Sequence, residues 1–575
     1  LGRCWWSYQH INWRSLGVNT SKPRYTRWVC LPLVLSISTA VVVVAFNPAP
    51  HNGGDNAAYI TLAFSLAEHG TYTDLYDPAG MPHTKYPPVF PGLLALMLLM
   101  GARTWSALKT VSAVFTIAAV GFTYLWAERR LGAVGALGLS VMLAISPALV
   151  YYSHWILSDP IFLCFTMAAL WALEGSEQES ASVWWLVGGV VTVALAYFTR
   201  SAGLPLLLAL FGWLALRRRW LPLTFSSIAI GVPALLWWIR GRGEGIGEYT
   251  SEFWMVDPYQ PALGTVSLGG LLTRAFSNLW AYVSSHGPGG VIGGSGTLVT
   301  VFGIGLTGFA LIGWVRSIRT HAGLAEIFLP LYAGLILLWP EVWSGDRFAL
   351  PLFPLFFLFA ALALGEAVSK RGSLAQNAVF ALVIAFVLLP AGRAWLSSVE
   401  QASACRRIMN NSGPWGCYGS GVSEFAEAAA WMQNSLPEGS SVMTRKPRLF
   451  YLMSGLTSRT FPFDDNPSAQ LTEADRVGAQ YVLLDNWDGL SSLYVGRALQ
   501  QNPQAFCSVR GFGSRQGSTH LLGIKDEASR SESAQLQTQE IRLDVCPGSY
   551  IRSDPDERYL SSSSTKIPLL EALEP

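Results

Sequence analysis

Charged residues are scarce in this sequence of 575 residues. Lysine, arginine, aspartate and glutamate together make up 13% of it, whereas hydrophobic residues make up 51%. A soluble globular protein has about a quarter of its residues charged, so the composition excludes an ordinary soluble domain. Apolar runs of about 20 residues recur along the chain, and each can cross the ~30 Å hydrocarbon core of a membrane as a helix. The sequence therefore predicts a polytopic α-helical membrane protein.

Two further features are missing. The basic residues form no dense cluster and the formal net charge is only +2, so nothing indicates a nucleic-acid partner. No internal repeat is visible, although repeats and broken helices are typical of many secondary transporters.

More apolar runs follow the first one, which favours a membrane anchor over a cleaved signal peptide. Residues 1–27, before that run, are expected to be cytoplasmic and are assigned no function; an alternative start or misread upstream sequence would also account for them.

About eleven apolar segments have the length and composition of membrane spans. They are residues 29–46, 105–127, 133–151, 160–174, 183–199, 202–216, 221–239, 297–315, 324–343, 347–367 and 374–391. Basic turns separate some of them, at Glu128–Arg130, Arg217–Arg219, Arg316–Arg319 and Lys370–Arg371. If the N-terminus is cytoplasmic, all of these turns lie on the cytoplasmic side, where lysine and arginine are enriched in membrane proteins.

One shorter apolar run decides this topology. Pro87–Gly101 would measure about 22 Å as a helix, which is too short for a perpendicular span. Counting it as a span would move all the basic turns to the outer side. We therefore interpret it as a helix that dips into the outer leaflet, within a first outer loop that comprises residues 47–104.

The topology divides the chain into a membrane domain and an outer domain. Residues 28–391 form the predicted membrane domain, and residues 392–526 are predicted to form an extracytoplasmic α/β domain. Residues 424–455 have the pattern helix, turn, strand, helix, and "AQYVLLD", "AFCSVRGF" and "HLLGIKD" are typical of strands. Residues 527–575 are polar and rich in serine, and they are expected to be poorly ordered.

Several of the cysteines lie in the outer part of the chain. They are Cys405, Cys417, Cys507 and Cys546. An oxidising compartment would allow them to pair, and Cys405 and Cys417 are the closest in sequence. The spacing does not decide the connectivity.

Two acidic residues stand at predicted outer ends of apolar segments, where a charge is costly and therefore indicates a function. Asp55 opens the helix of "GGDNAAYITLAFSLAEHG", in which Tyr59, Leu62 and Leu66 form an apolar stripe suited to the membrane surface. Asp159, in "SDPIFL", lies on the same outer side. Either residue could cap its helix, and either could take part in proton transfer. The local sequence leaves both interpretations open.

Three cations are also predicted to lie on the outer side, together with these two acids. Lys85 stands just before two prolines that restrict the backbone, where it could hold a phosphate or simply mark the interface. Arg200 and Arg347 map to outer span ends, although basic side chains normally gather on the inner side. Each therefore needs an anionic partner, which for Arg347 could be the adjacent Asp346. A carboxylate that deprotonates a hydroxyl and cations that stabilise a departing phosphate can together carry out a group transfer.

The ordered set of motifs resembles the GT-C superfamily of lipid-linked-sugar transferases. It is similar in particular to the branch that contains the protein O-mannosyltransferases and the aminoarabinose–lipid A transferase (glycosyltransferase family 39-like). The segments that carry the resemblance lie, in order, within residues 50–370, and they are "GGDNAAYITLAFSLAEHG", "KYPPVFPGLLAL", "SDPIFLCFTMAAL", "ALAYFTRSAG" and "RFALPLFPLF". The short run at Pro87–Gly101 is similar to the membrane-parallel helices in the first loop of such enzymes.

The resemblance implies an integral-membrane glycosyltransferase that moves a sugar from a polyprenyl-phosphate donor to an acceptor hydroxyl on the extracytoplasmic face. Asp55 would be the catalytic acid of the first loop, as general base or by positioning the acceptor, and Asp159 would be the second-loop acid. Lys85, Arg347 and Arg200 would bind the donor phosphate. The acceptor would be a lipid, a glycan or a protein, and the location a bacterial inner membrane with the C-terminal domain outside. No cofactor is indicated, and a divalent metal stays open.

The sequence departs from the family pattern in two places. Asn56 follows Asp55, where the protein O-mannosyltransferases have an Asp-Glu pair, and this argues against a protein acceptor. The Trp-Trp-Asp-Tyr-Gly motif of oligosaccharyltransferases is missing, so en bloc transfer to asparagine is not expected. Two other functions are compatible with the composition: a transporter or flippase of lipid-linked or small-molecule substrates, and a scaffold whose outer domain binds a partner. The missing repeat and the position of the charges at outer span ends argue against the transporter. The scaffold leaves the alignment of acids and cations on one face unexplained.

Overall fold

The computed structural model describes residues 23–178, 181–240, 249–369, 373–513, 519–526 and 543–552. Most of the predicted cytoplasmic segment 1–27 lies outside the described residues. The same holds for most of the serine-rich tail 527–575, apart from residues 543–552.

The chain is helical from its first described residue to the start of the C-terminal sheet domain. The helices are α1 (Pro23–Val44), α2 (Gly54–His69), α3 (Val89–Leu99), α4 (Trp105–Ile145), α5 (Pro147–Ser153), α6 (Asp159–Gly175), α7 (Val183–Thr199), α8 (Leu204–Leu216), α9 (Trp220–Ser226), α10 (Val232–Arg240), α11 (Tyr249–Trp254), α12 (Leu268–Ala281), α13 (Gly287–Ile292), α14 (Thr297–Thr320), α15 (Leu324–Leu338), α16 (Asp346–Ala349), α17 (Phe353–Ser369) and α18 (Ser373–Ser412). Gly132, at a φ of 71°, interrupts α4 between two predicted spans, since that φ is readily adopted only by glycine.

Among the described residues, 6 helices are long and apolar enough to cross a membrane. They comprise Arg27–Val44, Trp105–Ile145, Trp220–Arg240, Thr297–Thr320, Asp346–Val368 and Ala375–Ser412. Shorter apolar helices occupy Val183–Thr199, Ser201–Leu216 and Leu324–Leu338. Each predicted span overlaps a helix, and the protein is an integral membrane protein. The run predicted to dip into the membrane is helical over Val89–Leu99.

A close approach at a glycine and a group of buried ion pairs hold the membrane helices together. Gly313 of α14 lies so near α17 that a methyl group there would overlap the backbone carbonyl of Phe359. The buried Arg130 of α4 also pairs with Glu174 of α6 and with Glu326 of α15. A buried charge needs such partners, so this triad fixes three helices relative to one another.

The C-terminal domain is a small α/β unit, as predicted. Its elements are α19 (Ser420–Ser435), β1 (Ser441–Met443), α20 (Pro447–Ser454), β2 (Thr457–Arg459), α21 (Ser468–Val477), β3 (Tyr481–Leu484), α22 (Leu490–Gln501), β4 (Phe506–Phe512) and β5 (Thr519–Ile524). The sheet order is β2-β1-β3-β5-β4. β1 is parallel to β2 and β3, and β5 is antiparallel to β3 and β4. Of these strands, only β2 was missed by the sequence pattern.

The outer cysteines form disulfides. Cys405 bonds Cys417, and Cys507 bonds Cys546. The first disulfide ties the end of α18 to the segment that enters the C-terminal domain. The second ties β4 to residue 546, in the part of the tail that the structure describes.

Helix α18 joins the two parts of the molecule without a break. It runs through the predicted domain boundary at residues 391 and 392 and contains Pro390. Beyond that point the indole nitrogen of Trp395 donates to the carbonyl of Val41, at 3.1 Å. The Arg406 guanidinium donates to the carbonyl of Phe46, at 2.8 Å. Both contacts bind α18 to the end of α1, beside the start of the first loop.

The first loop is packed between the membrane helices and the C-terminal domain. Tyr59 and Leu62 of α2 are buried in a core that also contains Phe90 of α3 and Phe450 of α20. The predicted apolar stripe of α2 therefore faces protein and not lipid. A hydrophobic side chain is stabilised equally by either apolar environment, so the stripe alone could not tell them apart.

Candidate active site

A cavity of about 1240 Å³ lies where three parts of the molecule meet. The first loop contributes Asp55, Lys85 and Tyr86, and the turn before α17 contributes Arg347. The C-terminal domain covers the cavity with residues 445–448 at the start of α20, and with residues 459–463 after β2. All five predicted site residues are at this place or bonded to it: Asp55, Lys85, Arg200 and Arg347 line the cavity, and Asp159 bonds two of the lining arginines.

Asp55 is not the N-cap of its helix, so the capping interpretation is wrong. Gly53 occupies the N-cap position, and no side chain caps the helix. The Asp55 carboxylate instead accepts a hydrogen bond from the Tyr86 hydroxyl, at 2.7 Å, and one from Nη1 of Arg347, at 2.8 Å. Its side chain is 35% exposed, which leaves it accessible from the cavity.

The protonation states of Asp55 and Tyr86 follow from these contacts. Burial raises the pKa of the Asp55 carboxyl, but the charge of Arg347 and the hydrogen bonds of Tyr86 and Arg347 outweigh it, and the pKa lies below its ordinary value. Burial and the charge of Asp55 raise the pKa of Tyr86 well above its ordinary value. At neutral pH the tyrosine is therefore a hydrogen-bond donor and the aspartate an ionised acceptor.

Arg347 joins the two predicted acids. Its Nε donates to Asp159, at 2.7 Å, while Nη1 donates to Asp55. None of the described residues accepts a hydrogen bond from its third nitrogen, Nη2. The predicted alternative, a pair between Arg347 and the adjacent Asp346, is not formed, because Asp346 accepts from the Tyr152 hydroxyl instead, at 2.9 Å.

Asp159 and Arg200 meet because α6 and α7 are adjacent antiparallel helices. Asp159 is the first residue of α6, and Arg200 immediately follows the last residue of α7. An acid at a helix N-terminus and a cation at a helix C-terminus both interact favourably with the backbone dipoles. The two side chains form an ion pair at this shared end, so Asp159 is held between Arg200 and Arg347.

Lys85 is not a free interfacial lysine. Its ammonium donates to both oxygens of Glu252 in α11, at 2.6 and 2.8 Å. It also lies 5.0 Å from the centre of the Tyr249 ring and 5.7 Å from that of Trp343. Any anion that binds Lys85 has to replace Glu252 or share the lysine with it.

A second layer holds Tyr86 in place. The His83 ring stacks on the Tyr86 ring, with centroids 5.2 Å apart, and its Nε2 accepts the Tyr86 backbone N–H, at 2.8 Å. Its Nδ1 lies 2.9 Å from Asp74. Burial lowers the pKa of His83 in spite of Asp74, so the neutral ring can donate from Nδ1 and accept at Nε2. A series of contacts thus runs from Asp74 through His83 to Tyr86, whose hydroxyl donates to Asp55.

The sequence did not single out Tyr86, His83, Glu252 or the cations of residues 445–448. Tyr86 had one usable signal, since it stands directly before the two prolines that follow Lys85. The others lie in polar segments, where a charged residue is unremarkable. As for a metal, no group of three or more His, Cys, Asp or Glu side chains that could hold one occurs in the ranges that the structure describes.

The arrangement places an ionised carboxylate and several fixed cations on one cavity. Such a carboxylate can take the proton of a bound hydroxyl, and the cations can stabilise negative charge on a leaving oxygen. Because Arg347 neutralises Asp55, the carboxylate is a weak base while that pair is intact. An anion that draws Arg347 toward itself would make Asp55 more basic.

A family model matches part of the chain. Residues 85–239 match the model described as dolichyl-phosphate-mannose-protein mannosyltransferase. This range contains Lys85, Asp159 and Arg200, while Asp55 and Arg347 lie outside it. No curated protein sequence matches the chain significantly.

Solved structures match the fold over most of the chain. The oligosaccharyltransferase of Archaeoglobus fulgidus in complex with zinc and sulfate has a TM-score of 0.53 at 14% identity, over 84% of this chain and 72% of that one. AglB of the same organism, in complex with an inhibitory peptide and a dolichol-phosphate, has a TM-score of 0.52 at 12% identity, over 86% and 74%. ArnT of Cupriavidus metallidurans, bound to undecaprenyl phosphate, has a TM-score of 0.51 at 16% identity, over 89% and 100%.

These findings confirm the resemblance that the sequence predicted. At such identities the structural likeness shows the fold alone, which this chain shares with the oligosaccharyltransferase and ArnT structures. The family match is to a transferase that uses a lipid-linked sugar. These findings agree with the predicted class, a membrane glycosyltransferase dependent on such a donor, and none of them favours a transporter.

Proposed function

We propose that the protein transfers a sugar from a polyprenyl-phosphate donor to an acceptor hydroxyl, in the cavity between the first loop and the C-terminal domain. The observation that carries the proposal is the position of Arg347, which bonds both Asp55 and Asp159 at the edge of that cavity. Two structures with the same fold hold a dolichol-phosphate and undecaprenyl phosphate. We infer a donor of the same chemical type for this chain.

The donor phosphate is bound by Arg347, Lys85 and Arg200. Arg347 lies in α16, a short distance before the apolar helix α17, so a phosphate beside it has its lipid tail in the membrane. The phosphate takes part of the hydrogen bonding of Arg347 away from Asp55. Asp159 keeps Arg347 and Arg200 in position and is itself a positioning residue.

Asp55 is the general base of the reaction. The acceptor oxygen forms a bond to the anomeric carbon of the sugar while the bond from that carbon to the phosphate oxygen breaks. The electron pair of the broken bond stays on the polyprenyl phosphate, whose charge the cations stabilise. The hydroxyl proton passes to Asp55. Tyr86 orients the carboxylate through its hydrogen bond.

A transfer assay tests this proposal. Purified full-length protein in detergent or vesicles is given radiolabelled polyprenyl-phosphate sugars together with membrane extract as the source of acceptor. We expect release of polyprenyl phosphate and a labelled product in the presence of the wild-type protein. If no polyprenyl-phosphate sugar is consumed, and labelled lipid is only moved between leaflets, the protein is a transporter and the proposal is wrong.

We also propose the topology on which this site depends: about eleven spans, the N-terminus in the cytoplasm and the cavity outside a bacterial inner membrane. The domains are those of the sequence, with boundaries near residues 28, 392 and 527. The two disulfides support an oxidising location for the C-terminal domain.

The topology is tested with single cysteines and an impermeant thiol reagent in intact cells. Glu438 is exposed in the C-terminal domain, and Arg218 is exposed in a predicted cytoplasmic turn. We expect Glu438→Cys to react and Arg218→Cys to react only after lysis. Ser440 is a poor position for the label because it is 5% exposed. Labelling of Arg218→Cys in intact cells would mean that α3 spans the membrane.

A further inference from the structure

The C-terminal domain brings its own cations to the cavity. Arg445, Lys446 and Arg448 stand at the start of α20 and line the cavity together with the first loop. We call these three residues the domain wall. Lys85, Arg200 and Arg347, on the side of the membrane helices, form the membrane wall.

The cations of the membrane wall are all paired with carboxylates. Lys85 is paired with Glu252, Arg200 with Asp159, and Arg347 with both Asp159 and Asp55. Two further arginines of the C-terminal domain that reach the cavity are also paired: Arg459 with Asp77 and Glu473, and Arg476 with Glu473.

The domain wall differs from this pattern. Arg445 is paired with Asp488, at 2.8 Å. Lys446 and Arg448 have no carboxylate within ion-pair distance among the described residues. The Lys446 ammonium lies 5.5 Å from the centre of the Trp487 ring, and the Arg448 guanidinium lies 5.4 Å from Tyr76 and 5.6 Å from Tyr86. These two cations therefore line the cavity against aromatic rings, without an ion pair to any described carboxylate.

Both cations are close to Asp55 in electrostatic terms. The charge of Arg448 contributes to the lowered pKa of the Asp55 carboxyl. Burial, and then the charge of Arg445, lower the pKa of Lys446 to about 8, while Asp488 and Asp55 oppose that shift. Lys446 is thus mostly charged at neutral pH, and partial burial strengthens its attraction for an anion that enters the cavity.

We propose that Lys446 and Arg448 form an anion subsite for the acceptor, so that the preferred acceptor carries a phosphate or carboxylate group near the hydroxyl that reacts. The proposal rests on the proposed function, because it presupposes that Asp55 deprotonates an acceptor in this cavity. The donor phosphate is tied by its lipid to the membrane wall, whereas the domain wall lies on the opposite, polar side. An unpaired cation can bind an anion without first releasing a protein carboxylate.

The subsite can be measured without any transfer reaction. Purified full-length protein is treated at pH 8 with a trace amount of an amine-acylating reagent, and the modification rate of Lys446 is followed by mass spectrometry. Inorganic phosphate is the probe, with chloride at matched ionic strength as the reference. We expect millimolar phosphate to slow the acylation of Lys446 several-fold. In Arg448→Gln this protection is largely lost, whereas in Arg497→Gln, an exposed arginine outside the cavity, it is retained.

A second arm distinguishes the two sources of a phosphate group. Undecaprenyl phosphate is expected to leave the acylation of Lys446 unchanged while it is bound, because its phosphate occupies the membrane wall. If phosphate gives no protection, or if undecaprenyl phosphate protects Lys446 as strongly as inorganic phosphate does, the acceptor subsite is refuted. These outcomes do not depend on turnover, so they are separate from a failure of the transfer assay.

Discussion

The two walls of the cavity hold their cations in different ways. Lys85, Arg200 and Arg347 of the membrane wall are each bonded to a carboxylate, whereas Lys446 and Arg448 of the domain wall lie against aromatic rings. A paired cation is held in one geometry before a ligand arrives, and binding then exchanges one anion for another. An unpaired cation attracts ligand from a distance and sets no protein carboxylate free. In the function that we propose, the membrane wall serves positioning and chemistry, and the domain wall serves selection of the acceptor.

The largest effect on transfer is expected at Asp55, one of the two acids that pair with Arg347. Asp55→Asn keeps an oxygen at the same place but cannot accept a proton near neutral pH, so transfer should fall by about 10²–10⁴-fold. The fold should persist, as judged by an unchanged melting temperature of the purified protein. Asp159→Asn should lower transfer less, because that residue positions the arginines. The matched control is Asp464→Asn, an exposed residue outside the cavity whose oxygen accepts a backbone N–H, and it should be silent. Near wild-type turnover in a folded Asp55→Asn protein would end the assignment.

A smaller effect is expected from Arg347 and Lys85, the cations that we propose bind the donor phosphate. Arg347→Gln and Lys85→Ala each remove a charge-assisted hydrogen bond to phosphate, worth about 1.5–3 kcal/mol. The Kd for undecaprenyl phosphate should therefore rise about ten-fold or more, as measured by equilibrium binding, with Arg497→Gln as control. The assignment is wrong if donor affinity is unchanged in both variants.

Arg347→Gln also has a signature in the pH profile. The charge of Arg347 lowers the pKa of Asp55, and burial raises it. Without the arginine, the pKa of Asp55 rises, and Asp55 becomes protonated at a higher pH. The acidic limb of the rate profile should move to higher pH in Arg347→Gln and stay in place in Lys85→Ala, since Lys85 does not contact Asp55.

The smallest effect is expected at Tyr86, which we propose orients the Asp55 carboxylate. Tyr86→Phe keeps the ring that stacks on His83 but removes the hydrogen bond to Asp55. We expect kcat to fall about five-fold, in line with the loss of about 1 kcal/mol of orientation, while the KM for the donor stays the same. Tyr451→Phe, in α20 and outside the cavity lining, is the control. A rise in donor KM with unchanged kcat would place Tyr86 in the binding of the donor and not in the positioning of Asp55.

The sequence predicted the membrane wall far better than the domain wall. Arg200 and Arg347 of the membrane wall, and the acids Asp55 and Asp159 that pair with them, were visible because a charge at the end of an apolar span is costly and stands out. Lys446 and Arg448 lie in a polar domain, where cations are common, and only the fold brings them to Asp55. The pairs Lys85 with Glu252 and Arg459 with Asp77 join residues far apart in the chain, and no local pattern encodes such pairing.

The fold, like the candidate site, could be predicted from the sequence only in part. The long apolar runs, the break between residues 127 and 133, and the strands of the C-terminal domain other than β2 follow from local sequence patterns. The environment of α2 did not, because the same apolar face suits lipid and protein alike. The sequence also left open whether Asp55 caps α2, since an aspartate near a helix start is typical of capping. In the structure Gly53 takes that place, and the carboxylate bonds Tyr86 and Arg347.

The orientation of the C-terminal domain relative to the membrane helices depends on the rotation along one continuous helix, α18. Each residue of an α-helix turns by about 100° and rises by about 1.5 Å, and α18 runs unbroken from a membrane-length apolar segment to the disulfide at Cys405. One residue inserted after Trp395 would rotate everything beyond it by more than a quarter turn, against the docking of α20 on α2. The domain wall therefore faces Asp55 only while α18 keeps its length, and so its rotation, between the membrane and the C-terminal domain.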